Sequence, residues 1–361
     1  VREGLVPGKF EWRAARSTIP MAVGLSIAAL RASVLPRTWA LLMTALFLDN
    51  AVSMAIGLDR QKIARAWALS VSHALPERIR DLFDKAWVGP LGLVAPFLDL
   101  LSARTPGEVV RTIPAIFMTL IIWGIFGGAI CRIAMTRMTQ SPIPGYFEAI
   151  GYAAIRWRVI WGPLVIMATL AVILMAILAV LGAITSLPYA GPWLAWIVLP
   201  VMIVPASILG LTIAGVVLGW PMMLGAAMVE DSDSFDALSQ SQSFLFQAPV
   251  TWALTTKIGI LIHTAGYFVV RWFLRALVAI LRGATGFMTV QAGGSIGTDW
   301  NFPDPWSMPV QTTNAFDFWI SAIKLAAVTW PIGYVFAFSA ALYLALKARV
   351  DLVPPAEVRI E

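Results

Sequence analysis

Charge is scarce in this chain. Asp, Glu, Lys and Arg make up only 13% of its 361 residues, against about 25% in a typical soluble domain. Too little polar side chain is present to cover a water-facing surface, so an ordinary soluble globule is excluded. The parts for metal and thiol chemistry are also scarce. Cys131 is the one cysteine, which rules out an intramolecular disulfide and a cysteine-based zinc site. The two histidines, His73 and His263, stand far apart, so no His-Glu-x-x-His motif exists. Residues 1–20 do not read as a cleavable signal, because the apolar stretch after Arg16 is short and is broken by Pro20 and Arg31.

What is plentiful is apolar surface and tryptophan. Hydrophobic residues account for 59% of the chain and sixteen are Trp; the mean hydropathy is +0.79. A bilayer is the solvent that suits such a composition, and Trp collects at its two interfaces. The net charge of +6 in a soluble protein would suggest nucleic acid. No basic helix or aromatic RNA-binding motif accompanies it, so no nucleic-acid partner is expected, and membrane lipids are.

Six runs are long enough to cross about 30 Å of hydrocarbon at about 1.5 Å per residue. They cover Arg37–Gly57, Ile113–Met135, Val159–Ile184, Trp193–Trp220, Val250–Val270 and Phe316–Leu346. Ile19–Leu30 and Val88–Leu101 are shorter and read as interfacial or re-entrant pieces. The predicted fold is therefore all-α, a polytopic transmembrane helical bundle of about six spans plus interfacial amphipathic helices. Its parts are a cytoplasmic or interfacial segment (1–36), a first span (37–57), an extramembrane amphipathic region (58–112), a bundle of about five spans (113–347) and a tail (348–361).

Orientation follows Lys and Arg. Arg132, Arg137, Arg156 and Arg158 lie between the second and third spans, Lys347, Arg349 and Arg359 in the tail, and Arg2, Lys9, Arg13, Arg16 and Arg31 near the start. Six spans with both termini cytoplasmic put all of these on one side, as the positive-inside rule asks. The basic link Leu58–Thr112 and the run Arg271, Arg275, Arg282 fall on the other side. In the link, Ile63, Trp67 and Val71 oppose Arg60, Lys62 and Arg65, the pattern of a surface helix. The arginine run alternates with Phe273, Leu277 and Ile280 and reads as a helix in the interface plane, within an external loop 271–315.

Between the fourth and fifth spans, Glu230–Val250 reads EDSDSFDALSQSQSFLFQAPV. Asp233 is placed to cap a surface helix, 233–248, with Asp236 also at the positive end of its dipole. Phe235, Leu238 and Leu245 fall on one face, and Pro249 ends the helix. This run, with WGIFGGAICRIAM, resembles an uncharacterised family of bacterial polytopic membrane proteins, and more loosely the membrane domain attached to some glycerophosphodiester phosphodiesterases. The resemblance spans Trp123–Val250 and is most specific at Asp236-Ala237-Leu238-Ser239-Gln240-Ser241. It implies a topology in the bacterial cytoplasmic membrane and no activity, since no phosphodiesterase catalytic domain is present.

Other candidates carry a bland and a functional reading. Gly124-x-x-x-Gly128 and Gly215-x-x-x-Gly219 let helices approach closely, either within this chain or against a partner subunit. Gly293-Gly294-Ser295-Ile296-Gly297 matches a nucleophile elbow, yet no strand, helix or His–acid pair surrounds it, so a Gly-rich turn is expected. Asp49, Lys257, His263 and Lys324 fall inside apolar runs, where polar groups are costly and are functional candidates by default. Lys257 is close enough to its helix start to snorkel, and Asp49 reads as the end of a shorter first span. No catalytic set, metal site or cofactor is expected. The leading function class is a non-catalytic membrane subunit or scaffold that packs against other membrane protein subunits. The alternatives are a small-solute or ion transporter or channel, and a lipid-modifying membrane enzyme.

Overall fold

The computed structural model describes residues 12–59, 63, 90–100, 102, 105–187, 189, 191–229, 232–289 and 315–358; for 12–17, 192, 282–289 and most of 315–328 only the backbone path is described. Among these residues the protein is all helix. The helices are α1 (Trp12–Ser33), α2 (Pro36–Ile56), α3 (Pro90–Leu100), α4 (Pro106–Met138), α5 (Tyr146–Ile155), α6 (Trp157–Thr185), α7 (Gly191–Val229), α8 (Ser234–Gln247), α9 (Pro249–Thr289) and α10 (Ala315–Val350). Six of them, α2, α4, α6, α7, α9 and α10, contain segments long and apolar enough to cross a membrane. The protein is a multi-pass membrane protein.

Local chemistry sets several boundaries. Leu35 precedes Pro36, whose fixed φ suits a first helical position. Gly57 ends α2 at φ 73°, the left-handed region that glycine enters without strain, and its amide returns to Met54 and Ser53 carbonyls. Thr105 and Glu108 form a reciprocal capping box, with Pro106 at the first position, so α4 begins seven residues before the expected Ile113. Thr112 then donates to Asp99 at 2.8 Å, tying the short α3 to the start of α4.

The bundle is organised around α10. It packs against α1, α2, α4, α7 and α9. Its Thr329–Val350 segment is 89% buried, and Ala337, Ala340, Tyr343, Leu344 and Leu346 have essentially no exposed surface. One end of the molecule collects the C-termini of α4, α7 and α10 and the N-termini of α6 and α8. Arg132 of α4 donates to the Met228 carbonyl of α7, Arg156 to Ser232, and Ser234 of α8 to Arg158. Gly225 of α7 lies against Tyr343 of α10. The basic residues of two separate sequence segments thus share one end.

Helices α6 and α7 form an antiparallel hairpin of a different character. Only their roots, around Ile160 and Met222–Val229, enter the core. The spanning segments are 6% and 11% buried, respectively. From Val159 to Val229 no residue is charged.

Two expectations are corrected here. The segment 271–315 is not an external loop from its start: α9 runs unbroken from Pro249 to Thr289. No proline interrupts that run and its first glycine after Gly266 is Gly283, so the hydrogen-bond ladder has no reason to stop at Val270. Its buried stripe is Tyr267, Leu274 and Val278, while Phe273 and Ile280 face outward. The N-terminal segment is not interfacial alone. Helix α1 packs between α9 and α10, burying Ala22, Leu25, Ala29 and Ala32, small side chains that let it approach closely. Most of the 58–112 link, the Gly293–Gly297 run and residues 290–314 lie outside the described residues.

Candidate functional site

The four intramembrane polar candidates do not meet. Asp49 is fully buried in the middle of α2, not at its end. Its carboxylate accepts a hydrogen bond from the Trp123 indole N–H at 2.9 Å, and Thr119 approaches at 3.5 Å while also donating to the Ala115 carbonyl. Trp123 in turn stacks on Phe336 of α10, with centroids 5.6 Å apart and rings 3° from parallel. The carboxylate therefore sits at the α2–α4 seam, one aromatic layer from the central helix.

His263 is buried elsewhere, between α9 and α10. Its ring stacks on Trp330 at 5.9 Å and lies 5.3 Å from Tyr334. The Tyr334 hydroxyl donates to the Gly259 carbonyl. Lys257 is exposed on the outer face of α9. Lys324 lies in the first half of α10, and its side chain is outside the described residues. No group of three His, Cys, Asp or Glu is placed to hold a metal among the described residues.

All four packing glycines face this chain itself. A side chain at Gly124 would collide with Trp161 of α6, and at Gly128 with Ile160, Ala153 and Met228. Gly215 and Gly219 of α7 make room for the Gln242 side chain of α8, whose amide donates to the Gly215 carbonyl at 3.1 Å. The second motif thus admits a side chain from a helix near it in sequence, not a helix backbone. Gly127, between the first pair, faces the Phe336 ring.

Asp233 caps α8, accepting from the amides of Phe235 and Asp236 at 2.8 Å each. The inner face of α8 is Ala237, Leu238, Ser241, Phe244 and Leu245. Phe235 is exposed, contrary to the expected face, because at about 100° per residue it falls about 120° from the centre of that inner stripe. Gln240 accepts from the Tyr343 hydroxyl at 3.3 Å.

A cluster not anticipated from the sequence closes the basic end. Arg132 lies 4.0 Å over the Tyr152 ring and Arg156 5.7 Å from it. Arg156 also donates to the Tyr152 hydroxyl at 3.1 Å. Both guanidiniums reach carbonyls at or just past the C-terminus of α7, where cations offset the negative end of a helix dipole. The signal was available as arginines on both sides of an aromatic, but the partner carbonyls are 76 and 96 positions away.

A small recess borders this core, lined by Trp123, Trp161, Trp220 and Phe336. At about 10 Å³ it is no larger than one water molecule requires. No family model, curated protein or solved structure matches this chain.

Proposed function

We propose that this protein is a non-catalytic integral membrane subunit or scaffold of the bacterial cytoplasmic membrane, with the basic end toward the cytoplasm. The α6–α7 hairpin carries the reading. It is apolar on all sides, it is uncharged along its whole length, and it stands largely clear of the bundle that bears it. A hairpin built only to complete this chain's core would bury more of itself. One free to pack against neighbouring membrane helices would look as this one does. The separate burial of Asp49 and His263 favours structural roles for both over a shared pathway.

Photo-crosslinking tests the proposal. A photoreactive residue at Ile203 or Leu211, both exposed on α7, is expected to give one discrete protein adduct in intact membranes. The same adduct should copurify in constant ratio after mild detergent extraction. Adducts to lipid alone at both positions count against a partner.

A second reading, ion or proton transport, rests on Asp49, a fully buried carboxylate within a candidate span. Reconstituted vesicles decide it: a flux that Asp49→Asn abolishes, while fold and yield are retained, favours transport.

A further inference from the structure

An apolar helix has two possible homes, a protein core or lipid, and this molecule separates them along its length. The C-terminal half of α10 is apolar and has protein on every side. The α6–α7 hairpin is apolar and has almost none. Length and composition alone make both candidate spans, whereas only the hairpin requires lipid to cover it.

A girdle divides the two regions. Trp161 lies against Gly124, Trp220 packs edge-on to Phe336 at 6.3 Å, and Trp252 donates to the Leu218 carbonyl. Trp123 stacks on the same Phe336. Three exposed cations stand within about two helical turns of this level. Lys257 precedes Gly259, which meets Phe338; Arg31 follows Leu30, which meets Gly266 beside Trp330; Arg37 precedes Thr38, which meets Gly333. Exposed cations and clustered indoles on several helices within a band about 12 Å deep mark a membrane interface.

A second girdle lies at the hairpin tip, where Tyr189, Trp193 and Trp196 are 96%, 79% and 82% exposed. Trp196 and Trp220 are 24 positions apart, about 36 Å along a helix. Lys257 and Arg275 are 18 positions apart, about 27 Å. These separations bracket the hydrocarbon thickness of about 30 Å.

We propose that the hydrocarbon covers only the layer between these girdles. The C-terminal halves of α4 and α10, with α1, α5 and α8, form a helical cap outside it on the basic side. Helix α1 runs beside this half of α10: Leu30 and Trp330 both close on Gly266, and Ser26, one turn earlier, adjoins Tyr334. The cap's surface carries Gln140, Glu148, Asp233, Asp236 and Ser239, all exposed, together with exposed Phe147, Ile155 and Phe246. Thr329–Val350 then owes its apolar character to the core of the cap, and α10 meets the hydrocarbon mainly before about Trp330.

Thiol labelling tests the placement. In a Cys131→Ala background, single cysteines are introduced at Ile19 and Gly24, exposed on α1, and at Ile177 and Ile203, exposed on the hairpin. Maleimide needs a hydrated thiolate, so with both membrane faces open to a charged maleimide the α1 positions should react at least about tenfold faster than the hairpin positions. All four should react equally after denaturation in SDS, which shows that each protein is present. Were Thr329–Val350 the crossing segment, Ile19→Cys and Gly24→Cys would face hydrocarbon and stay silent in membranes. That silence, or rapid labelling of the hairpin, overturns the proposal.

Discussion

A buried carboxylate in an apolar bundle is stabilised by its donors. Trp123 supplies one to Asp49 at 2.9 Å, and replacing it with Phe keeps most of the ring packing while deleting the N–H. Trp123→Phe is expected to destabilise the detergent-solubilised protein by about 1–3 kcal/mol, the penalty for a buried polar group left short of a partner. Asp49→Asn retains an acceptor oxygen for the indole N–H, so it should cost less. Thermal unfolding of both variants and the double variant gives the coupling, and additive costs would show that the hydrogen bond contributes nothing. At the basic end, Arg156→Gln removes bonds to Tyr152 and Ser232. It should destabilise by about 1–3 kcal/mol in the same assay, as hydrogen bonds to charged groups do. Sequence could flag Asp49 as costly. It could not name Thr119 and Trp123, which lie 70 and 74 positions away and meet Asp49 only through the α2–α4 packing.

Helices were the legible level of this chain, because apolar run length, prolines and caps are local signals. Arg37–Gly57 matches α2 to within a residue at each end, since Pro36 and Gly57 punctuate it. The α8 cap at Asp233 was legible for the same reason. The α9 boundary was not, because arginines in RWFLRALVAIL change polarity without breaking a helix. Glycine contacts were legible only in part: the spacing showed a close approach but not what approaches. A direct comparison exposes the difference. At Gly127 a new side-chain carbon would strike the Phe336 ring, whereas at Gly182 and Gly210 it would meet nothing within 4 Å. Gly127→Ala is expected to destabilise by about 1–3 kcal/mol through overpacking. Gly210→Ala should be neutral or stabilise by up to about 1 kcal/mol through helix propensity. Equal melting shifts for the two would contradict the packing. Asp233→Ala should cost about 0.5–2 kcal/mol through loss of the α8 cap.

If α2, α4, α6, α7, α9 and α10 each cross, with α1 lying along the C-terminal half of α10, both ends of the described chain fall on the basic side. A reporter active only in the cytoplasm, fused after Glu361, should therefore be active, and one inserted at the hairpin tip near Tyr189 should be inactive; the reverse pattern would invert the orientation. Composition foretold a membrane protein, since so little charge leaves few other solvents. It did not foretell which apolar helix is wrapped in protein, because core and lipid ask for the same side chains.

The helix that the rest of the bundle surrounds is also made after every α-helix that packs against it. Until α10 emerges, the faces of α1, α4, α7 and α9 that close on it have nothing to close on, so these helices wait with their shared centre empty. A chain cut short before Thr329 would be inserted and yet unfinished, a natural target for the proteases that patrol the membrane.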